Sequence, residues 1–170
     1  MSIIIVPFDK RKHDCSEFDC GNPKLNRYLK EQAGQDMRSH YASLFVAVEE
    51  DSGKVKGFYT LSSTSVNISL LPLDLQKKLP KYPHVPGIRI GRLAVDSTAQ
   101  GKRLGIALVA NAILRSINNV AEWALIEVDA KDERAFAFYE KIGFSALQDD
   151  KFHLFIMRAK LSDFIRNGQP

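Results

Sequence analysis

Apolar residues recur along the chain in two patterns, which are typical of strands and of amphipathic helices. Short apolar runs predict strands at Ile3–Val6, Ser43–Glu49, Val55–Ser62, Ile90–Val95, Trp123–Val128, Phe144–Leu147 and His153–Arg158. Helical spacing predicts helices from Pro23 to Ala33, over Leu71–Leu79, from the Gln100–Gly105 loop to about Asn118, over Asp132–Ile142 and over Leu161–Ile165. Strands alternate with helices in the second half, and hairpins lie at both ends. This order predicts an α/β (α+β) fold with a mixed sheet of six to seven strands and helices on both faces.

Turn-forming residues predict where several of these elements begin and end. Asn22 can cap the first helix, Pro23 suits its first position, and Gly34 is a plausible end. The turn residues Asp51–Ser52–Gly53 indicate a hairpin between two strands. The three prolines in Pro80–Pro86 predict a loop without regular structure.

Length and composition predict a single domain over residues 1–170. The net charge of +4 and the isoelectric point near 9.1 weakly favour an anionic partner. No apolar run could cross a bilayer and no basic region precedes the first one, so we expect a cytoplasmic protein without a membrane segment. Cys15 and Cys20 are expected to be reduced. They have no histidine pair at metal-ligand spacing, so we expect no metal site.

The first motif that indicates chemistry is the loop between a predicted strand and a predicted helix. Gly101 and Gly105 allow close approach of a ligand to the backbone, and Lys102 and Arg103 add positive charge. Amide groups at such a helix start favour an anion such as a pyrophosphate. The loop lacks the Gly-Lys-Ser/Thr ending of a P-loop and also lacks GxGxxG. An ordinary structural turn explains this stretch equally well when it is considered alone.

The second motif is AFAFYEKIGF, which spans Ala135–Phe144. Ala135, Phe138 and Ile142 share one helical face, and Tyr139 lies beside it. A tyrosine hydroxyl there can act as a general acid towards a departing thiolate. The alternative is a tyrosine with only a packing role, which is more common in helices.

Taken together, these motifs resemble the GNAT superfamily of acetyl-CoA-dependent N-acetyltransferases. The segments FDCGNPKLNRYLKEQA and GRLAVD make the chain more similar to the GNAT toxins of bacterial toxin–antitoxin systems. That resemblance implies a GNAT fold, acetyl-CoA as cosubstrate and acetylation of the α-amino group of an aminoacyl-tRNA, which inhibits translation. It also implies a ribbon-helix-helix antitoxin as partner, and it is compatible with a homodimer.

The resemblance also assigns roles to individual residues. It implies pantetheine binding along the strand Leu93, Ala94 and Val95, packing of Phe138 near the coenzyme, and protonation of the thiolate by Tyr139. The implied pyrophosphate loop consists of Gln100, Gly101, Lys102, Arg103, Leu104, Gly105 and Ile106. Arg103 replaces a glycine of the family motif, and its N–H can still donate if its backbone is helical. Asp132 replaces an asparagine found in many relatives.

The substrate amine constrains the choice of catalytic base. A free α-amine has a pKa of about 7.7–8.0, against about 10.4 for lysine, so an aminoacyl-tRNA needs no strong base. Glu127 and Asp129 are candidate bases and Glu49 is a weaker one, although a structural role is favoured for the first two.

Basic side chains near the coenzyme strand are candidates for substrate binding. Arg89 and Arg92 lie on opposite faces of that strand by alternation. Further candidates are Lys77, Lys78, Lys81, Lys24, Arg27 and Lys30. No histidine is placed with a serine or cysteine and an acid, which favours direct attack of the amine on the thioester. The alternatives are acetylation of a small amine or a protein amine, and a non-catalytic GNAT-like binding module suggested by Arg103.

Overall fold

The computed structural model describes residues 2–166 of the chain. Its strands are β1 (Ile3–Pro7), β2 (Ser43–Glu49), β3 (Val55–Asn67), β4 (His84–Val95), β5 (Leu125–Asp129), β6 (Ser145–Ala146) and β7 (His153–Met157). Its α-helices are α1 (Pro23–Arg27), α2 (Ala33–Arg38), α3 (Leu73–Lys78), α4 (Leu104–Ile117), α5 (Glu133–Ile142) and α6 (Arg158–Arg166), with a π-helical segment, Tyr28–Gln32, joining α1 to α2. No helix in the described range is long and apolar enough to cross a membrane.

The seven strands are ordered β1-β2-β3-β4-β5-β7-β6. β4 and β5 are parallel, whereas β1 with β2, β2 with β3, β5 with β7 and β6 with β7 are antiparallel. The predicted mixed sheet of six to seven strands is therefore confirmed. The chain divides into two compact units, which we describe separately. Of the described residues, the first unit holds those up to Ser62 together with Gly91–Asn118, and the second holds Ser63–Ile90 and those from Asn119 onwards.

The first unit forms around the predicted β2–β3 hairpin. Phe18 and Phe58 pack edge to face within its core, which is completed by buried residues of the first helical segment and of β2. Asn22 caps α1 by accepting from the Lys24 and Leu25 amides, as predicted, and Pro23 is its first residue. Burial of this apolar surface is the main stabilising term for the unit.

The second unit has its own apolar core, in which Leu125 and Phe155 pack with residues of the connection before β4. Gly87 permits close packing there, because a Cβ at this position would lie 2.8 Å from a Leu125 methyl carbon. Asp132 caps α5 through the Ala135 amide at 2.8 Å, and Gly143, with φ +125°, ends the helix as predicted.

Several predicted boundaries are wrong, among them the end of β3, which lies at Asn67 rather than at Ser62. The first helical segment does not end at Gly34 but continues to Arg38, and His40 with φ +62° follows. The buried Ala33 side chain holds this stretch against the core, so packing outweighs the low helix propensity of glycine. β4 begins at His84 and includes Pro86, inside the predicted loop. The ladder with β5 covers Gly87–Ile90, so the missing N–H of Pro86 lies before it.

Candidate active site

The loop that follows β4 is anchored by the buried side chain of Asp96. Its carboxylate accepts from the Thr98 amide at 2.9 Å and from the Asp19 amide at 3.0 Å. Burial alone would raise the pKa of Asp96, but a hydrogen bond from the Thr98 hydroxyl, together with these two amide hydrogen bonds, holds it below its usual value. The predicted strand Ile90–Val95 ends just before Asp96, but the anchoring role of its side chain was not predicted. The Asp-Ser-Thr sequence, which is typical of side-chain-capped turns, was the available signal.

Two predicted loop residues, both exposed, direct their polar side chains to backbone carbonyls of the protein. The Gln100 side-chain amide donates to the carbonyls of Val95 at 2.9 Å and Cys20 at 3.1 Å. The Lys102 ammonium donates to the Thr98 carbonyl at 3.1 Å. These side chains brace the loop, so its backbone amides are the groups best placed to meet an anion.

The backbone reverses its handedness just before α4. Gly101 has φ +75°, and Arg103 has φ +65° and ψ 14°, which is the left-handed region. The condition set for Arg103, a helical backbone, is therefore not met, because α4 begins one residue later, at Leu104. An L-residue in this conformation costs about 1–2 kcal/mol, which explains why glycine suits this position. No side chain caps α4, and its first amides lack intrahelical acceptors.

The predicted coenzyme strand is the C-terminal half of β4. Ala94 is buried, whereas Leu93 and Val95 are half-buried. The Arg92 amide donates to the Thr60 hydroxyl at 3.0 Å. This hydroxyl can approach because Gly91 has no side chain, and a Cβ there would lie 2.8 Å from the Thr60 oxygen.

Tyr139 is the buried residue of α5, in the second unit. Its ring packs edge to face against Phe138 at 5.1 Å and Phe144 at 5.4 Å between centroids. Burial raises its pKa above the usual value, so the hydroxyl stays protonated at neutral pH. Within the described residues its hydroxyl has no hydrogen-bond partner, which leaves the proton available to a ligand.

Glu127, a candidate base, is sealed inside the second unit. Its carboxylate meets His153 Nε2 at 2.6 Å and Arg89 Nη1 at 3.2 Å, and it accepts from the Thr64 hydroxyl. Burial alone would raise its pKa, but these contacts hold the pKa of Glu127 below its usual value. The side chain is only 4% exposed, and these surroundings favour a structural carboxylate over a base.

The two candidate substrate arginines have different surroundings. Arg89 lies between Glu127 and Asp129 and forms ion pairs with both. Arg92 lies 4.0 Å above the centre of the Tyr28 ring and is exposed. Glu49, the weaker candidate base, is paired with Lys56 at 3.6 Å.

The basic residues of the first helical segment and the two cysteines lie as follows. Lys24, Arg27 and Lys30 are exposed along the first helical segment, as predicted. Cys15 and Cys20 are free thiols. Within the described chain, no group of three or more histidine, cysteine, aspartate or glutamate residues could hold a metal ion.

Comparison with known proteins identifies the fold. The family model described as "Acetyltransferase (GNAT) domain" matches residues 40–146. The tRNA-acetylating toxin of Mycobacterium tuberculosis is 34% identical over 146 residues, covering 85% of this chain and 86% of that protein. The structure of AtaT complexed with acetyl-methionyl-tRNAfMet superimposes with a TM-score of 0.88 at 27% identity, over 96% of this chain and 99% of that one.

The structure of AtaTR bound with AcCoA has a TM-score of 0.83 at 26% identity, over 96% of this chain and 98% of that one. The similarity thus extends over nearly the whole chain, and the family match includes both the uncapped start of α4 and Tyr139. On this evidence the chain belongs to the GNAT family of acetyltransferases.

Proposed function

We propose that this protein transfers the acetyl group of acetyl-CoA to the α-amino group of an aminoacyl-tRNA and thereby acts as a toxin that inhibits translation. The observation that carries the proposal is its 34% identity, over most of both chains, to a tRNA-acetylating toxin. A neutral α-amine is available at physiological pH without a strong base, which agrees with the sealed environment of Glu127.

The reaction is a direct displacement on the thioester. The amine nitrogen attacks the acetyl carbon, a C–N bond forms, and the C–S bond breaks as the tetrahedral intermediate collapses. Tyr139 gives its proton to the departing coenzyme A thiolate and regains one from solvent. The nitrogen loses its extra proton to water, so the products are the acetylated amine and free coenzyme A.

Binding of acetyl-CoA rests on backbone groups of the first unit. The amides from Gly101 to Ile106 and the uncapped start of α4 would hold the pyrophosphate, with added charge from Lys102 and Arg103. The edge of β4 at Leu93–Val95 would pair with the pantetheine arm. Phe138 would pack beside the coenzyme.

The wider assignments follow from the same proposal. Residues 1–170 would act as one GNAT domain, which is supported by a family match that includes residues of both units. As a toxin it would be neutralised by a ribbon-helix-helix antitoxin, could act as a homodimer, and would work in the cytoplasm, where charged tRNA is found.

The test is to follow labelled acetyl from acetyl-CoA with charged tRNA, free amino acids and peptides as competing acceptors. We expect the label on aminoacyl-tRNA, at the α-amine. Label on peptides or free amines alone would reject the tRNA substrate in favour of the alternative acceptors. Calorimetry with acetyl-CoA tests the remaining alternative, because a non-catalytic module without coenzyme binding would give no heat.

A further inference from the structure

The first unit contains a cavity of about 320 Å³ that no step of the proposed chemistry uses. Its lining includes Lys24, Arg27, Tyr28, Glu31, Gln32 and Arg92. It lies against β4 immediately before Leu93, where the proposed coenzyme strand begins. A ligand there would therefore adjoin the strand to which the acetyl carrier is assigned.

The helix that forms one wall of the cavity has a π-helical turn. The Ala33 amide bonds to the Tyr28 carbonyl, five residues earlier, instead of four. Such turns cost regular hydrogen bonding and are frequent at functional sites. Here the π turn lies where Tyr28 and Gln32 line the cavity.

Tyr28 forms a fixed aromatic floor. Its ring stacks on Phe58, with 6.3 Å between ring centres, and its hydroxyl donates to the Asp36 carboxylate at 2.9 Å. The Gln32 amide donates to the other Asp36 oxygen at 2.9 Å. Both oxygens of that carboxylate are thus already engaged.

Arg92 covers this floor, with its guanidinium carbon 4.0 Å from the ring centre. In the described part of the chain no carboxylate forms an ion pair with it, in contrast to Arg89. Asp36 lies close enough to be affected by its charge, because hydrogen bonds from Gln32 and Tyr28 and then the charge of Arg92 hold the pKa of Asp36 below its usual value. When one face of a guanidinium packs on a ring, its N–H groups can donate to a phosphate. Its other face can then stack on a nucleobase.

The charge around the cavity favours an anionic ligand. Lys24, Arg27 and Arg92 are cations, and none has a carboxylate partner among the ion pairs of the described residues. Glu31 is the single acidic residue of the lining. Phosphate contacts of this kind supply most of the affinity for nucleic acid.

We propose that this cavity binds the single-stranded 3′-terminal nucleotides of the charged tRNA, with Arg92 contacting a phosphate and stacking on a base. The inference rests on the proposed function, because it names the part of the substrate that this surface holds. Arg92 would thereby position the aminoacyl end beside the coenzyme strand, and it would act on any tRNA because the 3′ end is common to all.

The test compares the full-length wild type with Arg92→Ala in acetylation of charged tRNA over a range of salt concentrations. We expect the KM for tRNA to rise about tenfold and the slope of log KM against log salt to fall by about 1. The dissociation constant for acetyl-CoA should not change. Arg92→Lys keeps the charge but loses the planar stack, so it should restore the slope but not the full affinity.

Arg115→Ala is the matched control. Its guanidinium lies 4.3 Å above the Phe45 ring in the same unit but does not line the cavity, so the KM and the salt slope should match the wild type. Thermal melting of each variant checks that it is folded.

Failure of the inference differs from failure of the proposed function. If the wild type acetylates charged tRNA and Arg92→Ala keeps its KM and salt slope, the nucleotide subsite is wrong while the function stands. An equal rise of KM for a small aminoacyl ester would show that the cavity holds the amine, and it would also overturn the subsite. If the wild type labels only peptides, the proposed function fails first. In that case the affinity for a short RNA with a single-stranded 3′ end, measured by fluorescence anisotropy, should also be unchanged by Arg92→Ala.

Discussion

Two arginines on one strand illustrate two uses of charge in this protein. Arg89 is half-buried and is paired with Glu127 and Asp129, and Glu127 is in turn bound by His153 and the Thr64 hydroxyl. Arg92, three residues later, lies on an aromatic ring at the edge of a cavity lined by further cations. In the first region internal partners form ion pairs with Arg89, whereas in the second no carboxylate of the described chain forms an ion pair with Arg92.

The difference separates groups that stabilise the fold from groups that await a ligand. Substitution of a polar group that is fully paired with internal partners should lower the stability of the protein, because each partner is left without its hydrogen bond or counter-charge. Substitution of a group that has no internal partner should instead change ligand binding or turnover. Four substitutions, most of them with a matched control, test this distinction.

The largest effect is expected for Tyr139→Phe, which removes a hydroxyl without a partner in the described chain. Loss of general acid catalysis should lower kcat about 10²–10⁴-fold, while acetyl-CoA affinity and the free energy of unfolding stay nearly constant. Steady-state kinetics, calorimetry and urea denaturation measure the three quantities.

Tyr59→Phe is the opposite case, because the Tyr59 hydroxyl donates to Asn111 at 2.7 Å. It should cost about 1 kcal/mol of stability and leave kcat unchanged. An unchanged kcat in Tyr139→Phe would remove the tyrosine from the mechanism.

Next in size is Glu127→Gln, which removes a saturated buried charge. We expect a loss of about 2–4 kcal/mol in the free energy of unfolding, because Arg89 and His153 each lose a charged partner. Turnover of the folded enzyme should persist. Asp129→Asn is the control at an exposed position and should cost less than about 1 kcal/mol. A large fall in kcat without loss of stability would instead indicate that Glu127 acts as the general base.

A third prediction concerns pH. Burial alone would lower the pKa of His153, but hydrogen bonds to Glu127 and Asp149 raise it above its usual value. Its contribution to stability is therefore complete below the unfolded pKa of about 6.5 and is lost as the pH rises through the folded pKa. Glu127 has a lowered pKa, so its contribution is lost only in acid. His153→Gln should thus cost about 1–2 kcal/mol more at pH 5.5 than at pH 9, measured by denaturation. Equal costs at both values would contradict the ion pair.

The smallest effect is expected for Arg103→Gly in the loop before α4. Glycine relieves the left-handed strain of about 1–2 kcal/mol but increases unfolded-state entropy by about 0.4–1 kcal/mol. The net gain in stability should be about 0.5–1 kcal/mol, which thermal denaturation can resolve. Arg103→Ala keeps the unfavourable φ and should show no such gain. Equal stability of the glycine and alanine variants would argue that Arg103 carries no strain.

Local signals in the sequence predicted much of the fold. Asn22 and Pro23 start the first helix where predicted, and Gly143 ends α5. The loop before α4 and the Tyr139 helix were recognised as motifs because each lies within a short stretch. Gly34 and Pro86 were misjudged, because the buried Ala33 and the position of the β4–β5 ladder outweighed local preference.

The order of elements and the two candidate motifs could therefore be predicted from local patterns, because periodicity, caps and motif spacing are local properties. The family followed from the resemblance of those motifs. The surroundings that separate Arg89 from Arg92 became visible only in the tertiary structure, since both were predicted as substrate-binding candidates. The partners that neutralise Arg89 lie 38 and 40 residues away along the chain, and the Tyr28 ring under Arg92 comes from the first helical segment. Whether a charge is satisfied depends on such distant neighbours, and folding alone brings them together.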